Sequence, residues 1–67
     1  MIKVTINGEV REVAGGASIA AMLRTIGLDP ARVAVERNRE IVPRSTLAEA
    51  IVAEGDEYEI VHFVGGG

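Results

Sequence analysis

The stretch that decides the fold is Ile60-Val61-His62-Phe63-Val64, the most apolar run in the chain. Runs rich in β-branched and aromatic residues favour β-strands. Three glycines follow the run directly, so the strand leads at once into residues without side chains. We therefore take this final strand as the element around which the rest of the chain is arranged.

Alternation divides the final strand, predicted over residues 57–64, into two faces. Glu59 should face solvent because burying an unpaired carboxylate is costly. Val61 and Phe63 share its face, so we expect both to be exposed and to form a docking patch that includes Glu59. The alternative is a twist near the strand end that packs Phe63 into the core. His62, on the other face, is predicted to be half-buried and without a catalytic role.

A hairpin is predicted at the start of the chain. Residues 1–6 alternate with three apolar side chains on one face, which is typical of a half-buried strand. Asn7-Gly8 is a strong signal for a tight turn, and residues 9–13 form the return strand. Val10 and Val13 fall on opposite faces of that strand, which a β-bulge would reconcile.

One helix is predicted between this hairpin and the later strands. Ser18 is a suitable N-cap, and apolar residues at positions i, i+3, i+4 and i+7 from Ile19 form one helical stripe. Gly27 fits the left-handed residue that ends a helix. Two short strands are predicted over residues 33–36 and 40–42, before the final strand.

The order of these elements predicts an α+β fold in which a mixed sheet of four to five strands packs on one main helix. The first and last strands are the most apolar, so we place them in the centre of the sheet, parallel to each other. We expect one domain over residues 1–64 and a flexible glycine tail over residues 65–67.

Composition excludes several function classes. The 67 residues include no cysteine and a single histidine, so a thiol nucleophile is excluded and we expect neither a metal site nor a bound cofactor. No run of 18 apolar residues suggests a membrane span, and no basic start followed by an apolar segment suggests a signal peptide. The expectation is a cytoplasmic protein without catalytic residues of its own.

Charge is distributed unevenly along the chain. The net charge is −3, yet every charged residue after Arg44 is acidic. A nucleic-acid partner is not expected, because the acidic end would repel phosphate and no basic stripe carries stacking aromatics. The acidic segment suits a basic docking surface on a partner protein, or it is a solvated turn that aids solubility.

A terminal carboxylate on Gly67 would be the reactive group of such a chain. A carboxylate is a poor electrophile, but joined to a nucleotide phosphate it becomes a mixed anhydride that sulfur or an amine can attack. Both routes require the terminus to enter a nucleotide-binding pocket. Gly65 and Gly66 would let it pass through a narrow channel because glycine has the thinnest cross-section of any residue.

These features together resemble the ubiquitin-like sulfur carriers of the β-grasp fold, and more narrowly the ThiS family of thiamine thiazole biosynthesis. The resemblance covers the whole chain. It is carried by the hairpin around Asn7-Gly8, by the segment 35–44 (Val-Glu-Arg-Asn-Arg-Glu-Ile-Val-Pro-Arg), by Gly55-Asp56 and by residues 60–67.

The resemblance implies a role for Gly67 and a set of partners. An adenylyltransferase similar to ubiquitin-activating enzymes would use ATP to adenylate the Gly67 carboxylate. Sulfur from cysteine, passed on through a desulfurase persulfide, would convert it to a thiocarboxylate, and thiazole synthase would take that sulfur. The resemblance also implies that Val61 and Phe63 face the activating enzyme and that Gly66 and Gly67 are the family's terminal pair.

Three alternatives share parts of this pattern. The small subunit of molybdopterin synthase uses the same chemistry, but it is usually longer and carries a proline-containing segment before its glycines, which this chain lacks. A ubiquitin-like modifier would be joined to lysines instead. A binding module with an inert tail would undergo no modification.

Overall fold

The computed structural model describes residues 1–63, which form a five-stranded sheet packed against one short helix. The elements are β1 (Ile2–Ile6), β2 (Glu9–Val13), α1 (Ile19–Thr25), β3 (Val33–Arg37), β4 (Glu40–Val42) and β5 (Glu57–His62), with single 3₁₀ turns at Pro30–Arg32 and Arg44–Thr46. Strand order is β2-β1-β5-β3-β4. β1 and β5 are parallel and the other neighbours antiparallel, which confirms the predicted α+β sheet and its central pair.

The β1–β2 hairpin forms where the sequence predicts it but without the expected bulge. Asn7 and Gly8 have φ angles of 50° and 85°, the left-handed values that a two-residue hairpin turn requires. Pairing is continuous from Ile2 with Val13 to Ile6 with Glu9. The bulge prediction was wrong because Val10 does not need a core position: it stays 68% exposed on the edge strand.

Helix α1 has the predicted ends. The Ser18 side chain accepts a hydrogen bond from the Ala21 backbone N–H at 3.0 Å, which satisfies one free amide of the first turn. At the other end Gly27 has φ 89°, and the Leu28 N–H bonds to the Leu23 carbonyl at 2.8 Å. This closing bond belongs to the Schellman motif, in which a left-handed glycine ends the helix.

The core lies between α1 and the inner face of the sheet. Its fully buried side chains are Val4, Ile19, Met22, Leu23 and Val33. Seven residues of helix span only about 10 Å, whereas six residues of strand span about 20 Å. The helix therefore cannot cover the whole length of β5, and His62 is exposed rather than half-buried as predicted.

β5 ends at His62, two residues before the predicted end of the strand. Val64, the glycines at 65–67 and the predicted domain boundary lie outside the described residues. None of the helices in residues 1–63 has the length and apolar character needed to cross a membrane.

Candidate functional site

The outer face of the sheet, opposite α1, carries the predicted docking residues. Along β5, Tyr58 and Ile60 are buried while Glu57, Glu59 and Val61 are exposed. Val61 is 59% exposed and Phe63 is 52% exposed. The predicted exposure of both side chains is thus confirmed, and their role in docking stays a prediction.

Two further apolar side chains extend this surface across the sheet. Ala34 on β3 lies directly opposite Val61, and Ile41 on β4 is 77% exposed. Ile41 pairs with Glu36, so its side chain shares the outer face. We call the set Ala34, Ile41, Val61 and Phe63 the apolar patch. Neither Ala34 nor Ile41 was predicted to lie on this surface, although alternation against the buried Val33 and Val35 could have indicated Ala34.

An acidic row borders the apolar patch on the side away from the tail. Glu36 and Glu59 are directly opposite each other on β3 and β5. Glu57, two residues before Glu59, is the next side chain on the same face of β5. A shallow cleft at this end is lined by these three carboxylates, Thr5 and Arg39. Like charges directly opposite each other on paired strands destabilise a sheet. Local stability therefore does not explain why this face is acidic.

Arg44 borders the apolar patch at its other end. Its guanidinium carbon lies 5.1 Å from the centre of the Phe63 ring, within the range of a cation–π interaction. The Phe63 N–H donates to the Arg32 carbonyl at 3.0 Å, which continues the β3–β5 ladder by one residue. Phe63 is therefore held by its backbone and by Arg44 while half of it remains accessible.

Side chains from two turns hold β5 in place. The Asn7 amide oxygen accepts from the Ile60 N–H at 2.7 Å, and its nitrogen donates to the Ile60 carbonyl at 3.1 Å. This one side chain extends the pairing of β5 beyond the end of β1. On the opposite flank, the Asn38 oxygen accepts from the Glu57 N–H at 3.0 Å. The strand that leads to the glycines is thus fixed on both sides.

Asp56, a buried carboxylate, anchors the start of β5. It accepts hydrogen bonds from the Tyr58 hydroxyl at 2.8 Å, the Ala53 N–H at 3.0 Å and the Asn38 amide at 3.2 Å, and Arg37 lies 4.0 Å away. Burial alone would raise the pKa of Asp56, but these bonds and the Arg37 charge outweigh it and hold that pKa below its ordinary value. Burial, with the hydrogen bond and charge of Asp56, raises the pKa of Tyr58.

Within residues 1–63, no group of three or more His, Asp or Glu side chains is placed to hold a metal ion. Asp56, the buried acid, is occupied by structural hydrogen bonds. Gly65, Gly66 and Gly67, the predicted tail and modification site, lie outside the described residues.

Comparison with known proteins gives one consistent family. The model of the ThiS family matches residues 4–67 of the chain. The sulfur carrier protein ThiS of Bacillus subtilis is 42% identical over 50 residues, which are 75% of this chain and 76% of that protein. The crystal structure of the thiamine biosynthesis protein ThiS from Geobacter metallireducens superposes with a TM-score of 0.81 at 29% identity, covering 98% of this chain and all of that one. The β-grasp fold predicted from the sequence is thereby confirmed.

A longer relative matches as well. The thiazole synthase of Paramagnetospirillum magneticum is 48% identical over 66 residues, which are 98% of this chain. The chain spans only 20% of the length of that thiazole synthase. Part of that longer protein is therefore similar to nearly the whole of this chain.

Proposed function

The chain belongs to the ThiS family, sulfur carriers of thiamine biosynthesis, and from that premise we propose that the carboxyl group of Gly67 carries the sulfur. The β-grasp body serves as the surface that partner enzymes bind. No intrinsic catalytic residue is required, since the partners supply the chemistry.

The proposed reaction has two steps. An adenylyltransferase of the ubiquitin-activating type joins the Gly67 carboxylate to the α-phosphate of ATP and releases pyrophosphate. A sulfur nucleophile then attacks the acyl carbon and expels AMP, which leaves a thiocarboxylate when the nucleophile is hydrosulfide. When it is a persulfide, an acyl disulfide forms first and a thiol must cleave it. The chain has no cysteine, so the persulfide and the thiol both belong to partner proteins such as a cysteine desulfurase.

The observation that carries this proposal is the exposure of Val61 on β5 and of Phe63 directly after β5, in the segment that leads to residues 65–67. Exposed apolar side chains grouped on one face are typical of protein-binding surfaces. A partner that binds the apolar patch is therefore positioned next to the segment that it must accept.

Thiazole synthase is the proposed acceptor of the sulfur. Two thiazole synthases, from Paramagnetospirillum magneticum and Magnetococcus marinus, each contain a segment similar to 98% of this chain. Joining a carrier to its acceptor raises the effective concentration of one for the other. These relatives favour the thiamine route over the molybdopterin route.

Intact-mass measurement tests the proposed chemistry. The 67-residue chain is incubated with ATP, magnesium, a ThiF-type activating enzyme and sodium sulfide. We expect a mass increase that corresponds to the exchange of one oxygen for sulfur, located by fragmentation at Gly67. Omission of ATP should abolish the increase, because hydroxide is too poor a leaving group to be displaced by sulfide.

The same reaction with candidate acceptor proteins added distinguishes the alternatives. Adducts on lysine side chains of other proteins would identify a modifier and contradict the carrier function. An unchanged mass with an enzyme that is active on its own carrier would identify an inert tail. If the thiocarboxylate transfers its sulfur to a molybdopterin synthase large subunit and not to thiazole synthase, the chain is a sulfur carrier for molybdopterin synthesis.

The docking role of the apolar patch is tested by Val61→Ser. We expect this variant to bind the activating enzyme about tenfold more weakly, because an apolar contact central to an interface is lost. Affinity is measured by titration calorimetry. Val10→Ser is a matched control, since Val10 is 68% exposed but lies on the edge strand β2, away from the tail. Equal weakening by both substitutions would contradict a localised patch.

A further inference from the structure

Charge changes sign along the outer face of β5. Glu57 and Glu59 come first, Val61 and Phe63 follow, and the guanidinium of Arg44 lies over the Phe63 ring. Phe63 is the sixth residue after Glu57 along a nearly extended chain, a distance of about 20 Å. The sequence suggested a uniformly acidic approach to the tail, whereas the structure brings a cation to the tail end of the face.

The position of Arg44 is set by the fold. Its 3₁₀ turn is closed by the Thr46 N–H and hydroxyl, which both donate to the Pro43 carbonyl at 2.9 Å. Leu47, the next residue, is 3% exposed and anchors the turn in the core. The side chain of Arg44 therefore leaves a rigid turn beside Phe63.

Among residues 1–63, no side-chain hydrogen bond or ion pair occupies the guanidinium of Arg44. The ion pairs among residues 1–63 involve the side chains of Arg11, Arg32 and Arg37, and none joins Arg44 to a carboxylate. Stacking on an aromatic ring uses the face of the guanidinium and leaves the N–H donors at its edge, the geometry that binds a carboxylate or phosphate in bidentate fashion. Arg44 is thus prepared to bind an anion supplied by a partner.

A carboxylate on the partner suits this position better than a phosphate on the tail. Gly67 is the fourth residue after Phe63, and four residues fully extended span about 14 Å. With the tail extended into a partner's channel, a phosphate joined to Gly67 is beyond the reach of a guanidinium stacked on Phe63. The anion that meets Arg44 must therefore come from the surface around the channel.

Resting on the proposed function, we propose that Arg44 binds a carboxylate on thiazole synthase and thereby fixes the orientation in which the outer face docks. The complementary surface carries basic groups opposite the acidic row and an acidic group near the channel that receives the tail. Rotating the carrier by half a turn on this surface would place like charges together at both ends, which opposes binding. Thiazole synthase is chosen because proteins of that name contain segments similar to this chain.

Binding of the 67-residue chain to a separately purified thiazole synthase, at low and high salt, tests this inference. We expect Arg44→Gln to weaken binding about tenfold at low salt and Arg44→Glu to weaken it further, with the differences shrinking as salt screens the charges. Arg44→Lys keeps the charge but not the bidentate N–H edge, so it should weaken binding less than Arg44→Gln does. Arg24→Gln, which removes a cation from the exposed side of α1, should bind as the wild type does.

Each contrary result has a distinct meaning. A wild-type chain that binds while all Arg44 variants bind equally well overturns the orientation inference and leaves the proposed function intact. If Arg44→Lys and Arg44→Gln lose the same affinity at every salt concentration, Arg44 has a packing role, and this result also overturns the orientation inference. If the Arg44 variants bind thiazole synthase normally but are adenylated more slowly, the anion lies on the activating enzyme, and the inference about thiazole synthase is overturned. A wild-type chain that does not bind thiazole synthase removes the proposed acceptor, and the inference with it.

Discussion

A chain carrying Gly66→Phe is expected to fold normally and to acquire sulfur at least about a hundredfold more slowly than the wild type. The buried core of the described residues is formed by side chains between Val4 and Ile60, so we expect a bulky residue at position 66 to leave the fold intact. In the proposed mechanism, however, the Gly67 carboxylate must reach the α-phosphate of ATP through a narrow channel. Misplacement of a reacting group by 1 Å can cost about a hundredfold in rate. Pyrophosphate release measures adenylation, and thermal unfolding measures the fold.

Graded variants separate steric obstruction from other effects of the substitution. Gly66→Ala adds one methyl group and should slow adenylation much less than Gly66→Phe. A chain that lacks Gly67 should fold normally and transfer no sulfur, because its carboxylate no longer reaches the reacting position. Normal thiolation of the Gly66→Phe chain would show that the partner has no narrow channel and would remove the reason for glycines at these positions.

Local signals in the sequence were sufficient to predict most of the fold. Asn7-Gly8 set the hairpin because few other dipeptides adopt two consecutive left-handed residues. Ser18 and Gly27 set the limits of the helix because each satisfies backbone groups within one turn.

The bulge error and the His62 error have different causes. Val10 lies on the outer face of an edge strand, where an apolar side chain can stay exposed without a bulge. His62 shares the inner face with Tyr58 and Ile60, but alternation does not reveal how far the helix covers that face.

The candidate site depended more on contacts between distant residues. The exposure of Val61 and Phe63 could be predicted within one strand. Glu59 has to face solvent, and alternation puts the other two side chains on the same face. The contribution of Arg44 could not be predicted, because it depends on β4 and the 3₁₀ turn bringing that residue beside Phe63. The same holds for Asn7, whose amide pairs with a backbone 53 residues away in sequence. The sequence predicts that Asn7 lies in a turn, but it does not predict which backbone groups its side chain binds.

Asp56→Ala is expected to produce the largest loss of stability among single substitutions outside the apolar core. It removes the acceptor of the Tyr58 hydroxyl, the Ala53 N–H and the Asn38 amide together. Each buried donor left without an acceptor costs about 1–3 kcal/mol, and a domain of this size has only about 3–10 kcal/mol of stability in total. We expect the Tm to fall by more than about 10 °C. Calorimetry at neutral pH measures the change.

The stability of the wild type at acid pH should also reveal the contribution of the hydrogen bonds to Asp56. The pKa of Asp56 is lower in the folded state than its ordinary value of 3.8. Its contribution to stability is therefore fully present above pH 3.8 and is lost as the pH falls through the lower folded-state value. Asp56→Asn, which cannot ionise, should lose that part of the acid sensitivity. Asp29→Asn is the control, because asparagine replaces aspartate well at an N-cap and Asp29 is exposed.

The network lies at the opposite end of β5 from the glycines, so its loss should affect function only through the folded fraction. At a temperature where Asp56→Asn remains folded, it should bind the activating enzyme as tightly as the wild type and acquire sulfur at the same rate. Both should decline together as the temperature approaches its lowered Tm. A lower affinity in the fully folded variant would contradict this separation, because it would show that the anchor of β5 also sets the position of Val61 and Phe63 on the outer face. Amide hydrogen exchange along residues 57–63 would then reveal faster opening of the strand in the variant below its Tm.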